Sequence, residues 1–200
     1  MLLAEGGKQG LQHIVRLSGM GADKHNLFAN HHAADSLLLS SDIHYTALQP
    51  NTFMQNFYNY SNSIKDHQNI IELVADAKES FIDARDIAQV AAVVLTQAGH
   101  ENKIYELTGG EALDYDQVAK IFSDILKKEI TYKPLSSAEY VAINSAEGMP
   151  SEFIEKFVQF SDMVKNGDYA RVSPTVQQIL GRPPITLSQF VADYRNFFAR

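Results

Sequence analysis

Apolar positions along this chain fall into short β-branched runs separated by helical stripes, the alternation that builds a parallel α/β sheet. Residues 2–9 place Leu2, Leu3 and Ala4 ahead of Gly6 and Gly7, which reads as the last turns of a helix reaching its glycine stop. Residues 12–18 form a β-branched run closed by Gly19-Met20-Gly21, a buried strand followed by a loop. Residues 27–41 set Leu27, Phe28, Ala33, Ala34, Leu37, Leu38 and Leu39 mostly on one helical stripe, and Ser40-Ser41-Asp42 breaks it. A strand over 43–49 comes next, so the unit is β-α-β. Its exit, Gln49-Pro50-Asn51, reads as the lip of a ligand crevice, because small molecules bind at strand ends in open α/β sheets.

Beyond Pro50 the stretch 52–66 interleaves Phe53, Phe57, Tyr58 and Tyr60 with Gln55, Asn56, Asn59 and Asn62. It predicts a short helix and a loop that cover a ligand. Residues 69–74 and 80–82 read as short strands around a turn at 76–79. Asp83 opens a helix of about fifteen residues with an acidic first turn and apolar Ile87, Val90, Ala91, Val94 and Leu95, ended by Gly99-His100. Residues 103–108 alternate as a strand does. Gly109-Gly110 then turns the chain into a helix over 114–127, capped by Asp114 and terminated by Lys127-Lys128. A short strand over 130–132 follows.

From Ser136 the pattern is helical to the end. Ser136 and Glu139 match a capping box, Gly148-Met149-Pro150 makes a break, and helical segments follow over 151–166, near 174–180 and over 187–199. The fold class expected is therefore α/β: a truncated Rossmann-like parallel sheet flanked by helices, with a mostly helical C-terminal lobe. The boundary falls between residues 1–135, whose loops 52–82 lie on the substrate side, and residues 136–200. No Gly-rich turn in the first ninety or so residues follows a strand and opens a helix, so the chain reads as the back part of a nucleotide-binding enzyme whose front is absent.

Composition narrows the partners. A net charge of −7 and no basic run longer than Lys127-Lys128 argue against nucleic acid. The absence of cysteine excludes disulfides, thiolate catalysis and cysteine-based zinc sites, and points to the cytosol. No apolar stretch approaches the roughly 20 residues of a membrane helix. The expected protein is soluble and cytoplasmic, with no membrane or nucleic-acid partner.

Candidate chemistry is sparse. His31 and Asp35 share a helical face at i, i+4, but the spacing matches no zinc motif and no metal ligand is assigned. His13, His25, His67 and His100 sit beside loops or strand ends and receive no role. Asp83, Arg85 and Asp86 are explained by the helix macrodipole alone. Gly109-Gly110 lacks the spacing of a phosphate cradle and reads as a plain turn. Ser18 stands at a strand end, where a hydroxyl can meet a substrate carbonyl or a nicotinamide ribose.

Several segments together carry a resemblance: residues 15–22 (Val-Arg-Leu-Ser-Gly-Met-Gly-Ala), residues 45–56 (Tyr-Thr-Ala-Leu-Gln-Pro-Asn-Thr-Phe-Met-Gln-Asn), Asp83-Ala84-Arg85-Asp86-Ile87-Ala88 and residues 105–109. Gly148-Met149-Pro150 and residues 181–190 extend it through the helical tail. The chain resembles the NmrA-like group of atypical short-chain dehydrogenases/reductases. That resemblance implies NAD(P) on a Rossmann fold, with NADP the expected cofactor of the full-length protein and poor binding by this chain alone. It implies that Ser18, Gly19, Pro50, Asn51 and Phe53 face the cofactor, that Phe53, Met54, Asn56 and Phe57 wall the substrate pocket, and that Ser18 and His31 are the catalytic candidates.

The Tyr-x-x-x-Lys pair of typical superfamily members is absent, which disfavours carbonyl reduction and favours hydride delivery to a quinone-like or apolar acceptor. The expected function is thus an NAD(P)H-dependent oxidoreductase on a small acceptor. The alternative is a non-catalytic sensor of the cofactor's redox state. A chain lacking part of its sheet also exposes strand edges, so a homo-oligomer through such an edge is expected.

Overall fold

The structure is a computed structural model that describes residues 2–21 and 29–199. The expectations for Ala22, His25, Leu27 and Phe28 lie outside the described residues, as do the side chains of Leu2, Leu3 and Ala4. A short helix, α1 (Leu2–Lys8), leads into strand β1 (His13–Leu17), helix α2 (Ala29–Leu39) and strand β2 (His44–Pro50). After two turns of irregular helix come β3 (Asn69–Glu72), α3 (Ala84–Thr96), β4 (Lys103–Leu107), α4 (Tyr115–Leu126) and β5 (Thr131–Pro134). The remainder is helical: α5 (Ser137–Ala146), α6 (Ser151–Lys165), α7 (Thr175–Leu180), α8 (Leu187–Asp193) and α9 (Arg195–Ala199).

Strands β1, β2 and β4 form a parallel sheet in the order β1-β2-β4, with Val15 opposite Thr46 and Leu48 opposite Tyr105. The β-α-β unit read from the sequence is the first half of this sheet. Central β2 is buried from Tyr45 to Pro50, as a strand covered on both faces must be. Helix α3 lays Ile87, Val90 and Val94 on Leu48 and Leu107, and Val176 of α7 joins the same cluster. A second, two-stranded parallel sheet pairs β3 with β5, Ile70 opposite Tyr132. Nothing local announces this pairing, because the partners lie far apart in sequence.

The larger core gathers Phe57, Phe122, Phe190 and Phe198 between α4 and helices α8 and α9. Two expectations need correction. Residues 80–82 form no strand: Glu79 bridges Leu113 and Ile82 bridges Phe53, single pairings to two different partners that never build a ladder. The expected helix over 187–199 is two, divided at Tyr194, whose N–H bonds back to the carbonyls of Ala192 and Phe190. Gly109 is also more than a plain turn. A Cβ there would lie 2.1 Å from the carbonyl oxygen of Phe81, so only glycine permits this approach of two backbones.

Candidate functional site

The two corners singled out by the sequence lie side by side at the carboxyl edge of the main sheet. The N–H of Ser18 donates to the carbonyl of Leu48 at 2.7 Å, and that of Met20 to the carbonyl of Pro50 at 3.1 Å, which carries the β1–β2 pairing beyond the strand ends. The N–H of Asn51 donates to the carbonyl of Leu107 at 2.9 Å and ties the corner to β4. Among the described residues a Cβ on Gly19 would meet nothing within 4 Å.

From that corner the chain runs directly into a cavity of about 580 Å³. Thr52 and Phe53 stand at its near end, and the irregular helix Met54–Tyr60 forms one wall with Asn56, Phe57 and Tyr60. Glu72 of β3, Glu79 and Tyr115 of α4 form a second. The roof is the α5–α6 hairpin, which contributes Tyr140, Phe157 and Phe160. Tyr140 and Phe157 stack with ring centroids 5.0 Å apart and planes 12° from parallel. The capping box at Ser136 holds the start of this roof, with the Ser136 N–H donating to Glu139 Oε2 at 2.8 Å. Helix α5 buries none of its residues, because its inner face covers a cavity rather than a core.

The electrostatics of the cavity are set by two buried carboxyls. Burial pushes Glu79 from its ordinary 4.5 up to about 7, against the opposing hydrogen bonds from Thr52 and Tyr115. Burial also raises Glu72, which accepts from the Tyr60 hydroxyl and from the N–H of Leu73 at 3.0 Å. Tyr60 and Tyr115 are raised well above the usual phenol range, chiefly by burial, and stay neutral. Among the described residues no lysine, arginine or histidine lies on the cavity wall.

Of the residues expected in the site, Phe53, Asn56 and Phe57 line this cavity, and Met54 sits behind it in the core, 2 % exposed. Pro50 and Asn51 occupy the sheet-edge corner, where Asn51 is buried and fully engaged: its amide donates to Ser80 Oγ at 2.6 Å and to the Tyr169 carbonyl at 2.9 Å. The Ser18 hydroxyl donates to Asp35 Oδ2 at 2.6 Å, and Asp35 also pairs with Arg16. His31 lies on the same side, its Nδ1 3.3 Å from Arg16 Nη2. Ser18 and His31 thus belong to one polar cluster under β1, centred on Asp35.

Sequence reasoning missed Glu72, Glu79, Tyr115 and the three roof aromatics. The available signal was Glu72, a glutamate inside the apolar stretch Ile70-Ile71-Glu72-Leu73-Val74; Glu79, which follows Lys78, gave none. The macrodipole is also an incomplete account of the acidic turn at Asp83. Asp83 is fully buried, caps α3 through the Arg85 N–H and holds the Arg85 guanidinium; burial opposes its ionisation, but these bonds outweigh it and lower its pKa. Asp86, also fully buried, accepts from Arg182 Nη2 and from the N–H of Ile185, both at 2.7 Å. Among the described residues no helix is long and apolar enough to cross a membrane.

A parallel sheet with helices packed on it, opening at its carboxyl edge onto an aromatic cavity, defines an α/β protein of the Rossmann-like class. The chain belongs to the NmrA-like family, whose family model matches residues 10–190. It is 35% identical over 181 residues to festuclavine synthase I of Penicillium roqueforti, a match covering 88% of this chain and 62% of the relative. It is 29% identical over 196 residues to an NAD(P)H azoreductase of Xenophilus azovorans, covering 94% and 67%. Among solved structures it superposes with TM-score 0.88 and 27% identity on the NADPH-dependent quinone oxidoreductase QOR2 of Escherichia coli in complex with NADPH, covering 98% of this chain and 70% of that one. The chain thus spans about two thirds of the length of these relatives.

Proposed function

We propose that this chain forms the acceptor side of an NAD(P)H-dependent oxidoreductase that reduces a small planar molecule held in the aromatic cavity. One observation carries the reading: the sheet-edge corner at Pro50-Asn51 continues without interruption into the cavity wall at Thr52-Phe53. A ring resting on the corner and a ring in the cavity are then neighbours. The corner fits the nicotinamide end of the cofactor, because none of the described residues fills the space beside Gly19 and Phe53 offers an apolar wall. Ser18, Gly19, Pro50, Asn51 and Phe53 would hold that end. NAD(P)H supplies a hydride equivalent when bound. Phe53, Asn56 and Phe57 orient the acceptor, and the α5–α6 roof keeps water from it.

A second reading, a redox sensor without turnover, draws support from Ser18, whose hydroxyl is already committed to Asp35 and is not presented to a substrate. The test uses reduced nicotinamide mononucleotide, which carries the hydride-donating ring without the adenosine half, and follows its oxidation by menadione. The reductase reading expects saturable, protein-dependent oxidation that is lost in Gly19→Phe, a variant whose side chain fills that space. Saturable binding without oxidation favours the sensor, and absence of both removes the corner as a cofactor site.

A further inference from the structure

The cavity wall combines two features that select the same ligand. Eight of its residues are aromatic, among them Phe53, Phe57, Tyr60, Phe81, Tyr140 and Phe157, and their ring faces carry negative potential. Two carboxyls, Glu72 and Glu79, stand on the same wall, Glu79 1 % exposed. Among the described residues no cationic side chain on the wall neutralises either of them. A carboxylate buried without a countercharge is costly, and the cost is relieved when a positive charge enters beside it.

We propose that the cavity is a site for planar aromatic monocations, with Glu79 as the countercharge and the surrounding rings as a cation–π cage. This rests on the reading of the cavity as the acceptor pocket and specifies the acceptor's charge. A neutral or anionic ring of the same size has the apolar contacts but leaves the carboxyls uncompensated, whereas a fixed cation gains from both.

The groups that face Glu79 set how its charge responds to pH. Thr52 donates to Oε2 from the corner, and the Tyr115 hydroxyl lies 3.4 Å from Oε1 on α4. Glu72 on β3 and Tyr169 after α6 are coupled to it electrostatically, and Tyr60 lies within the same field. Lys78, the nearest cation in sequence, turns away to Asp114 at 3.8 Å. The three tyrosines remain neutral over the physiological range, so the ionisation that changes on ligand entry is that of a carboxyl. Glu79 titrates at about 7. A cation therefore displaces a proton from it at pH 6 and finds it ionised at pH 8.

The experiment titrates the 200-residue chain with N-methylquinolinium, methylnaphthalene and naphthoate, a cation, neutral and anion of one shape, by calorimetry without nucleotide. The cation is expected to bind about tenfold more tightly than either isostere at pH 8. Its affinity is expected to rise about tenfold from pH 6 to pH 8, with proton release below neutrality detected in buffers of different ionisation enthalpy. Glu79→Gln should flatten that pH dependence and keep a residual, cage-derived affinity. Equal affinity for the three probes, no binding of the cation, or an unchanged pH profile in Glu79→Gln would overturn the proposal. Because no nucleotide is present, these outcomes are independent of the mononucleotide test, which can succeed while this one fails.

Discussion

The side-chain amide of Asn51 reaches across 118 positions of sequence to donate to the carbonyl of Tyr169 at 2.9 Å, and on the way it holds Ser80 Oγ at 2.6 Å. Ser80 Oγ in turn donates to the carbonyl of Arg171 at 2.6 Å. A single asparagine thus clamps the exit of the central strand to the loop after Glu79 and to the segment leaving α6. The corner, the carboxyl wall and the roof of the cavity share one anchor. Its side-chain oxygen acts locally, accepting from the Thr52 N–H at 2.7 Å and setting the entry into the cavity.

Asn51→Leu leaves the Tyr169 carbonyl with only the Ser80 N–H and hydroxyl as donors and the Thr52 N–H without its acceptor. A loss of about 2–3 kcal/mol in unfolding free energy is expected, measured by urea denaturation. Ligand affinity in the cavity should fall with it, because the loops it clamps carry the wall. A variant as stable as the parent would show that the clamp is not needed.

Asp86 anchors the segment between α7 and α8 through Arg182 and the Ile185 N–H. Arg182 is partly exposed, so water replaces much of what it loses, while the Ile185 N–H does not recover its acceptor as easily. Asp86→Ala is expected to cost about 2 kcal/mol and to speed proteolysis near Pro183 and Pro184. Protection of that segment equal to the parent's would contradict the assignment.

Glu79 makes stability depend on pH. Its folded-state pKa, about 7, lies above the ordinary 4.5, so the folded form holds the proton more strongly than the unfolded chain does. The associated stability is complete below pH 4.5 and is lost as pH rises through about 7. The span from 4.5 to about 7 corresponds to about 3 kcal/mol at 1.36 kcal/mol per pH unit. Denaturation series should show this decline in the parent and its absence in Glu79→Gln, which is then the more stable protein at pH 8. A parent profile that is flat over this window removes the argument.

The Tyr140–Phe157 stack closes the roof of the cavity but buries little surface. Tyr140→Ala should therefore weaken ligand binding by about 1 kcal/mol, the usual worth of an aromatic pair, while the melting temperature stays within a few degrees. A large fall in melting temperature with unchanged affinity would make Tyr140 a core residue instead.

Strand β1 lies at the edge of the main sheet, and Leu17 on it is 50 % exposed. Beside it, Val15, Leu17, Ala91 and Leu95 line an apolar groove between the sheet and α3. Edges of this kind recruit other strands. The 200-residue chain on its own is expected to self-associate, read by light scattering after size exclusion, and Leu17→Lys should shift it toward monomer. A monomer that melts cooperatively would contradict this.

Much of the fold was legible locally. The helix starts at Asp83, Asp114 and Ser136 are capping residues whose bonds close within three positions, and the apolar stripe of α3 needs only its own sequence to be seen. Period and cap chemistry act over a few residues, so a linear reading captures them. The adjacency of the Ser18-Gly19 and Pro50-Asn51 corners followed from β-α-β grammar, because parallel neighbours align their carboxyl ends.

Sequence alone determined the α/β class, most of the order of strands and helices, though not the fate of residues 80–82 or the division at Tyr194, and the family to which the chain belongs. The tertiary structure decided the site. Glu79, Tyr115 and Phe157 come from different elements and meet only when β3 pairs with β5 and the α5–α6 hairpin folds over them. It also decided that Ser18 faces Asp35 and that Asp86 holds the Ile185 backbone. The charge that a carboxyl carries depends on the water around it, and which carboxyls lose their water is a property of the packed chain and not of any short stretch of it.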